Sequence, residues 1–71
     1  MNAKQWLAEY AARLGTAPPA PEEFAVILEL AGAAAHSSER VAAPAATWVA
    51  AKSGRPLEEA LELANALEAE G

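Results

Sequence analysis

The stretch from Phe24 to Ala35, FAVILELAGAAA, decides how this chain folds. Eleven of its twelve residues are apolar or glycine, and only Glu29 interrupts them. A helix of that composition is hydrophobic around most of its circumference, which marks a buried central helix that the other segments wrap. The run lies between Glu22, Glu23 and His36. It falls short of the roughly 20 apolar residues that a membrane span needs.

Projected at helical periodicity, Phe24, Ile27, Leu28, Ala31 and Ala35 form one core face, and Val26, Leu30 and Ala34 extend it around a second side. Ala25, Glu29, Gly32, Ala33 and His36 are left as a narrow polar strip. Gly32 lowers helix propensity by about 1 kcal/mol relative to alanine. The compensation expected for it is the close approach of another helix.

Upstream, Asn2-Ala-Lys-Gln5 reads as a variant capping box that opens a first helix. Trp6, Leu7, Tyr10 and Leu14 follow on one face, with Trp6 and Tyr10 expected as core anchors, and Gly15 supplies the stop. Three prolines in the six residues Thr16 to Pro21 make a stiff connector. Downstream, Pro44 suits the first position of a third helix, AATWVAAKS, which Gly54 ends. A fourth begins at Pro56 and carries the apolar stripe Leu57, Ala60, Leu61, Ala64 and Leu67, with Leu63 at its border.

The resulting expectation is an all-α fold: one compact four-helix domain over residues 1–71, wrapped around its hydrophobic second helix, with helices at about 3–14, 22–37, 44–53 and 56–70. No strand pattern, repeat or heptad run competes.

Composition narrows the function classes. Of 38 hydrophobic residues 21 are alanine, so 17 larger side chains fill the interior and the helices must approach closely. Ten glutamates against five basic residues, with no aspartate, give a net charge of -5, which disfavours nucleic-acid backbones. With no cysteine there is neither a disulfide framework nor a thiolate metal site. A lone histidine with scattered glutamates does not supply a converging ligand set, so neither metal nor cofactor is expected. The N-terminal residues lack the apolar core of a signal peptide, and the expected location is cytoplasmic.

His36, Arg40, Lys52 and Arg55 form the one cationic region of this acidic chain. The tract His36-Ser37-Ser38-Glu39-Arg40 leads into the start of the third helix at Pro44, where free backbone N–H groups and the helix dipole favour an anion. His36, Ser37, Ser38, Arg40 and Pro44 are therefore the candidate site for an anion or a partner. The bland reading makes these charges solvated surface and His36 a cap on carbonyls at the end of its own helix. No catalytic residue is assigned, because adjacent side chains on a helix point about 100° apart and neither Ser37 nor Ser38 is set on His36 by sequence.

Trp6, Leu14-Gly15, Leu30-Ala31, Ala34-Ala35-His36, Arg40 with Ala42-Ala43-Pro44, and Gly54 together give the chain a resemblance. It resembles a small bacterial domain family associated with molybdopterin-guanine dinucleotide biosynthesis, whose members occur alone or joined to a molybdenum-cofactor guanylyltransferase. The likeness covers nearly the whole chain. Val41 stands where that family often has proline, which removes a rigid element from the loop. The resemblance implies a non-catalytic accessory or interaction module acting beside the guanylyltransferase, and it carries no established activity. Two alternatives stand beside it: a small-anion or nucleotide binder, or weak enzyme, using His36 and Arg40, and a structural bundle that self-associates as a homo-oligomer.

Overall fold

The computed structural model describes residues 1–71. Four α-helices follow one another: α1 Ala3–Leu14, α2 Pro21–Ser37, α3 Ala42–Ser53 and α4 Leu57–Glu70. There are no strands. The helices make a globule of 38 × 23 × 18 Å.

Each end has a local cause. Asn2 Oδ1 accepts from the Gln5 N–H at 2.8 Å, and Gln5 Oε1 accepts from the Asn2 N–H at 2.9 Å, so two of the N–H groups that α1 leaves unpaired are satisfied reciprocally. At the start of α2 only half of that device operates. Glu23 Oε1 accepts from the Ala20 N–H at 2.8 Å, while Ala20 has no side-chain oxygen to return the bond. Pro21 sits at the first helical position, where its missing donor costs nothing. Gly15 and Gly54 end α1 and α3 at φ 80° and 75°, a left-handed backbone in which a Cβ is strained.

α3 begins two residues before Pro44. A turn closed by Ala42 N–H to Glu39 O at 2.9 Å and Ala43 N–H to Arg40 O at 3.1 Å winds directly into the helix. Pro44 is tolerated two positions further in, as the third residue of α3, because the first N–H groups of a helix have no acceptor within it. Pro56 caps α4 from outside instead of beginning it.

α2 is the hub. It packs against both α3 and α4, whereas α3 and α4 approach each other over only a short stretch. No Cα atom of α1 comes within 8 Å of a Cα of another helix. α1 instead reaches the body through the connector, where Leu7 shares a hollow with Pro18, Pro19, Pro21 and Phe24.

Three expectations for the interior are corrected. Only Ala11, Leu30 and Ala33 are buried. Leu30 is 4% exposed and Leu28 is 57% exposed, so α2 is rotated from the phase assigned to it: Leu28 joins the outer strip, and Ala33, placed on that strip, faces inward. Gly32 marks no close crossing, since a Cβ built there meets nothing within 4 Å. Trp6 and Tyr10 are not core anchors either, being 53% and 49% exposed. The side of α1 turned to the rest of the chain is that of Leu7 and the buried Ala11, and Trp6 and Tyr10 stand to one side of it.

Candidate interaction surface

Of the residues singled out at the end of α2, several have polar groups engaged in local bonds. Ser37 donates its hydroxyl to the Ala33 carbonyl at 2.6 Å, and the Ser38 N–H caps Ala34 O at 3.1 Å. Ala42 and Ala43 give their N–H groups to the preceding turn, and Pro44 has none. Pro44 contributes instead its carbonyl, which accepts from Thr47 Oγ1 at 2.7 Å. The free donors that would draw an anion to a helix start are thus absent from positions 42–44.

His36 points across to α4. Its Nδ1 lies 3.9 Å from Glu68 Oε2, a loose, exposed contact between helix ends rather than a cap on its own helix. Arg40 is exposed and has no ion pair or side-chain hydrogen bond in the chain. It is the member of the set whose charge remains available to a partner. Arg55, by contrast, is paired with Glu59 one turn into α4. Lys52 lies over the Trp48 ring, 5.4 Å from its centroid, a geometry that attracts a cation to the ring face. No cluster of three His or Glu side chains can hold a metal ion, and no helix is long and apolar enough to cross a membrane.

Two apolar surfaces dominate instead. On α1, Trp6 and Tyr10 stack at 5.0 Å between centroids with 29° between planes, and they line a shallow concavity with Met1, Glu9 and Arg13. Glu9 and Arg13 make an exposed i,i+4 pair at 3.5 Å along its edge. Tryptophan, tyrosine and arginine are the residue types that dominate binding energy at protein interfaces.

The second surface is the cleft where α3 and α4 diverge over α2. Leu30 lies at its base, Ala46, Val49 and Ala50 line it from α3, and Ala60 and Leu63 line it from α4. Val49 and Leu63 are each more than half exposed, as is Leu67 one turn further along α4.

The chain as a whole is open for its mass. The chain exposes 5344 Å². A folded monomer of 7.3 kDa is expected to expose about 4,200 Å². Sequence reading missed the cleft, although a signal for it was present: Ala46, Val49, Ala50 and Ser53 recur at i, i+3, i+4 and i+7, on a different side of α3 from Trp48.

Fold and surface together define a small all-α domain whose distinguishing features are apolar faces. The chain belongs to the DUF6457 family, a domain of unknown function whose model matches residues 1–70. Neither a curated protein nor a solved structure gives a match.

Proposed function

We propose that this domain is a non-catalytic interaction module of the cytoplasm, residues 1–71 acting as one unit that docks on a larger protein through the aromatic face of α1. The observation that carries this reading is the Trp6–Tyr10 stack: two large rings ordered against each other, yet each about half exposed on a side of α1 away from its buried Ala11. Rings held in that way present contact area at little further entropic cost, since they are ordered before binding. Arg13 beside them supplies a charged contact at the rim, and Arg40, on the separate turn between α2 and α3, is a further free charge. The resemblance carried by Leu30-Ala31, Ala34-Ala35-His36, Arg40 and Ala42-Ala43-Pro44 makes a molybdenum-cofactor guanylyltransferase the first partner to try.

The test is capture of a purified molybdenum-cofactor guanylyltransferase by the immobilised domain. Wild type is expected to retain it, and Trp6→Ala and Tyr10→Ala to release it while keeping their helical circular dichroism. Retention by both variants at wild-type strength would falsify the assignment of this face.

A further inference from the structure

We propose that the hollow between α1 and the proline connector is a binding site for the last residue of another polypeptide, with a large apolar side chain inside it and the terminal carboxylate on Lys4. The site lies apart from the aromatic face. Lys4, Leu7 and the buried Ala11 recur at i, i+3 and i+7 on one side of α1, and Trp6 and Tyr10 stand to one side of it. The hollow holds about 180 Å³ and is lined by Leu7, Pro18, Pro19, Pro21 and Phe24, with Lys4 as its one charged residue. Pockets for drug-sized ligands and cofactors run from about 300 to 1,000 Å³, so this one suits a single side chain.

Lys4 sets the charge of the occupant. It makes no ion pair and no side-chain hydrogen bond within the chain, although the chain carries ten glutamates. Two local preferences oppose a lysine at this position. It is the second residue of α1, in a first turn that holds no acid, whereas the positive end of a helix favours an acidic residue. It also stands one turn before Leu7 on the side of α1 turned to the rest of the chain, where an amphipathic stripe calls for an apolar residue. A carboxylate beside Lys4 answers the first of these, and the apolar group attached to that carboxylate fills the space left by the second. The Ala3 and Lys4 N–H groups bond to nothing in the chain and add to the positive potential at this end.

The connector favours a chain end over a simple acid. Ala17, Pro18 and Pro19 lie outside the helices, and none of their carbonyls accepts a hydrogen bond within the chain. A proline-rich extended backbone has no internal bonds, so these acceptors stay open to a neighbouring chain. The backbone N–H of a terminal residue can fill one of them. A carboxylic acid with the same side chain has no such donor.

The experiment is an amide NMR titration of the full chain with the peptide acetyl-Ala-Ala-Leu, its C-terminus free. Saturable shifts are expected at Leu7, Ala20 and Phe24. Amidating the peptide's C-terminus and changing Lys4→Gln are each expected to weaken binding roughly tenfold or more, as for a lost hydrogen bond between charged groups. Combined, the two changes are expected to weaken it no further than either alone, because they remove the same contact. Lys4 is exposed and without a partner, so the variant keeps its helical circular dichroism. Isocaproate, which has the carboxylate and the side chain but no N–H, is expected to bind more weakly than the peptide. Absence of shifts with the free-acid peptide, or undiminished affinity after amidation or in Lys4→Gln, overturns the site. Isocaproate binding as tightly as the peptide overturns the chain end as occupant and makes a small acid the ligand. The titration uses no guanylyltransferase, so its failure leaves the aromatic docking face standing, and failed capture leaves this site standing.

Discussion

The Trp6 and Tyr10 rings lie one turn apart on α1 and stack at 5.0 Å, each about half exposed. Most of their mutual stabilisation is therefore local. A double-mutant cycle over Trp6→Ala and Tyr10→Ala, read by urea denaturation, is expected to give a coupling of about 0.5 to 1.5 kcal/mol, the range for an aromatic pair beyond its area burial. A coupling near zero would mean that the stack contributes nothing before a partner arrives.

Leu30 and Leu28 are two positions apart, yet one is buried and the other more than half exposed. Leu30→Ala should cost about 2 to 5 kcal/mol, since it removes the base on which α3 and α4 rest. Marginal stability of about 5 to 15 kcal/mol for a natural domain makes that a large fraction of the total. Leu28→Ala should cost under about 1 kcal/mol, because little apolar area is returned to water. Equal urea midpoints for the two variants would contradict the orientation of α2.

That orientation was the part of the fold the sequence could not set. A helix with apolar residues on nearly every side has no strong phase, so the wheel accommodates Leu28 or Leu30 as the innermost residue equally well. The choice is made by where α3 and α4 sit, which is tertiary information. The helix ends were legible for the opposite reason: Asn2 with Gln5, Pro21, Gly15 and Gly54 act on their own neighbours within a few residues. The proposed anion site suffered from the same distinction. Its charges were visible in sequence, but the turn that engages the Ala42 and Ala43 N–H groups with Glu39 and Arg40 was not. The cleft depends on the angle between two helices, and only its small-residue stripe on α3 was written in the chain.

Gly32 provides a test by sign. It lies within α2 at ordinary helical backbone angles, and a Cβ there meets open space. Gly32→Ala is expected to stabilise the domain by up to about 1 kcal/mol through helix propensity. Gly54→Ala should destabilise by about 1 to 2 kcal/mol, because φ is 75° and the left-handed backbone disfavours a side chain. Melting temperatures of the pair should move in opposite directions.

Arg40 separates binding from folding. With no side-chain partner in the chain, Arg40→Ala should change unfolding free energy by no more than about 0.5 kcal/mol. If it meets a carboxylate or phosphate on the guanylyltransferase, the same change should weaken capture by about 1.5 to 3 kcal/mol, as for a lost hydrogen bond to a charged group. Isothermal titration with the partner, run beside a melting curve, measures both. A drop in melting temperature alone would assign Arg40 to the fold.

The detachment of α1 has a further consequence in the native-state dynamics. Helices that share a core exchange their amide protons together through global opening, whereas a helix tied on by Leu7, the small Ala11 and a proline connector can fray while the rest stays closed. Hydrogen exchange should therefore resolve two tiers, with the α1 amides from Leu7 to Leu14 opening at lower free energy than those around Leu30 and Ala33. Covering Trp6 and Tyr10 with a partner should merge the tiers. Its binding would then be registered as slowed exchange along the backbone of α1, without requiring any rearrangement of α2, α3 or α4.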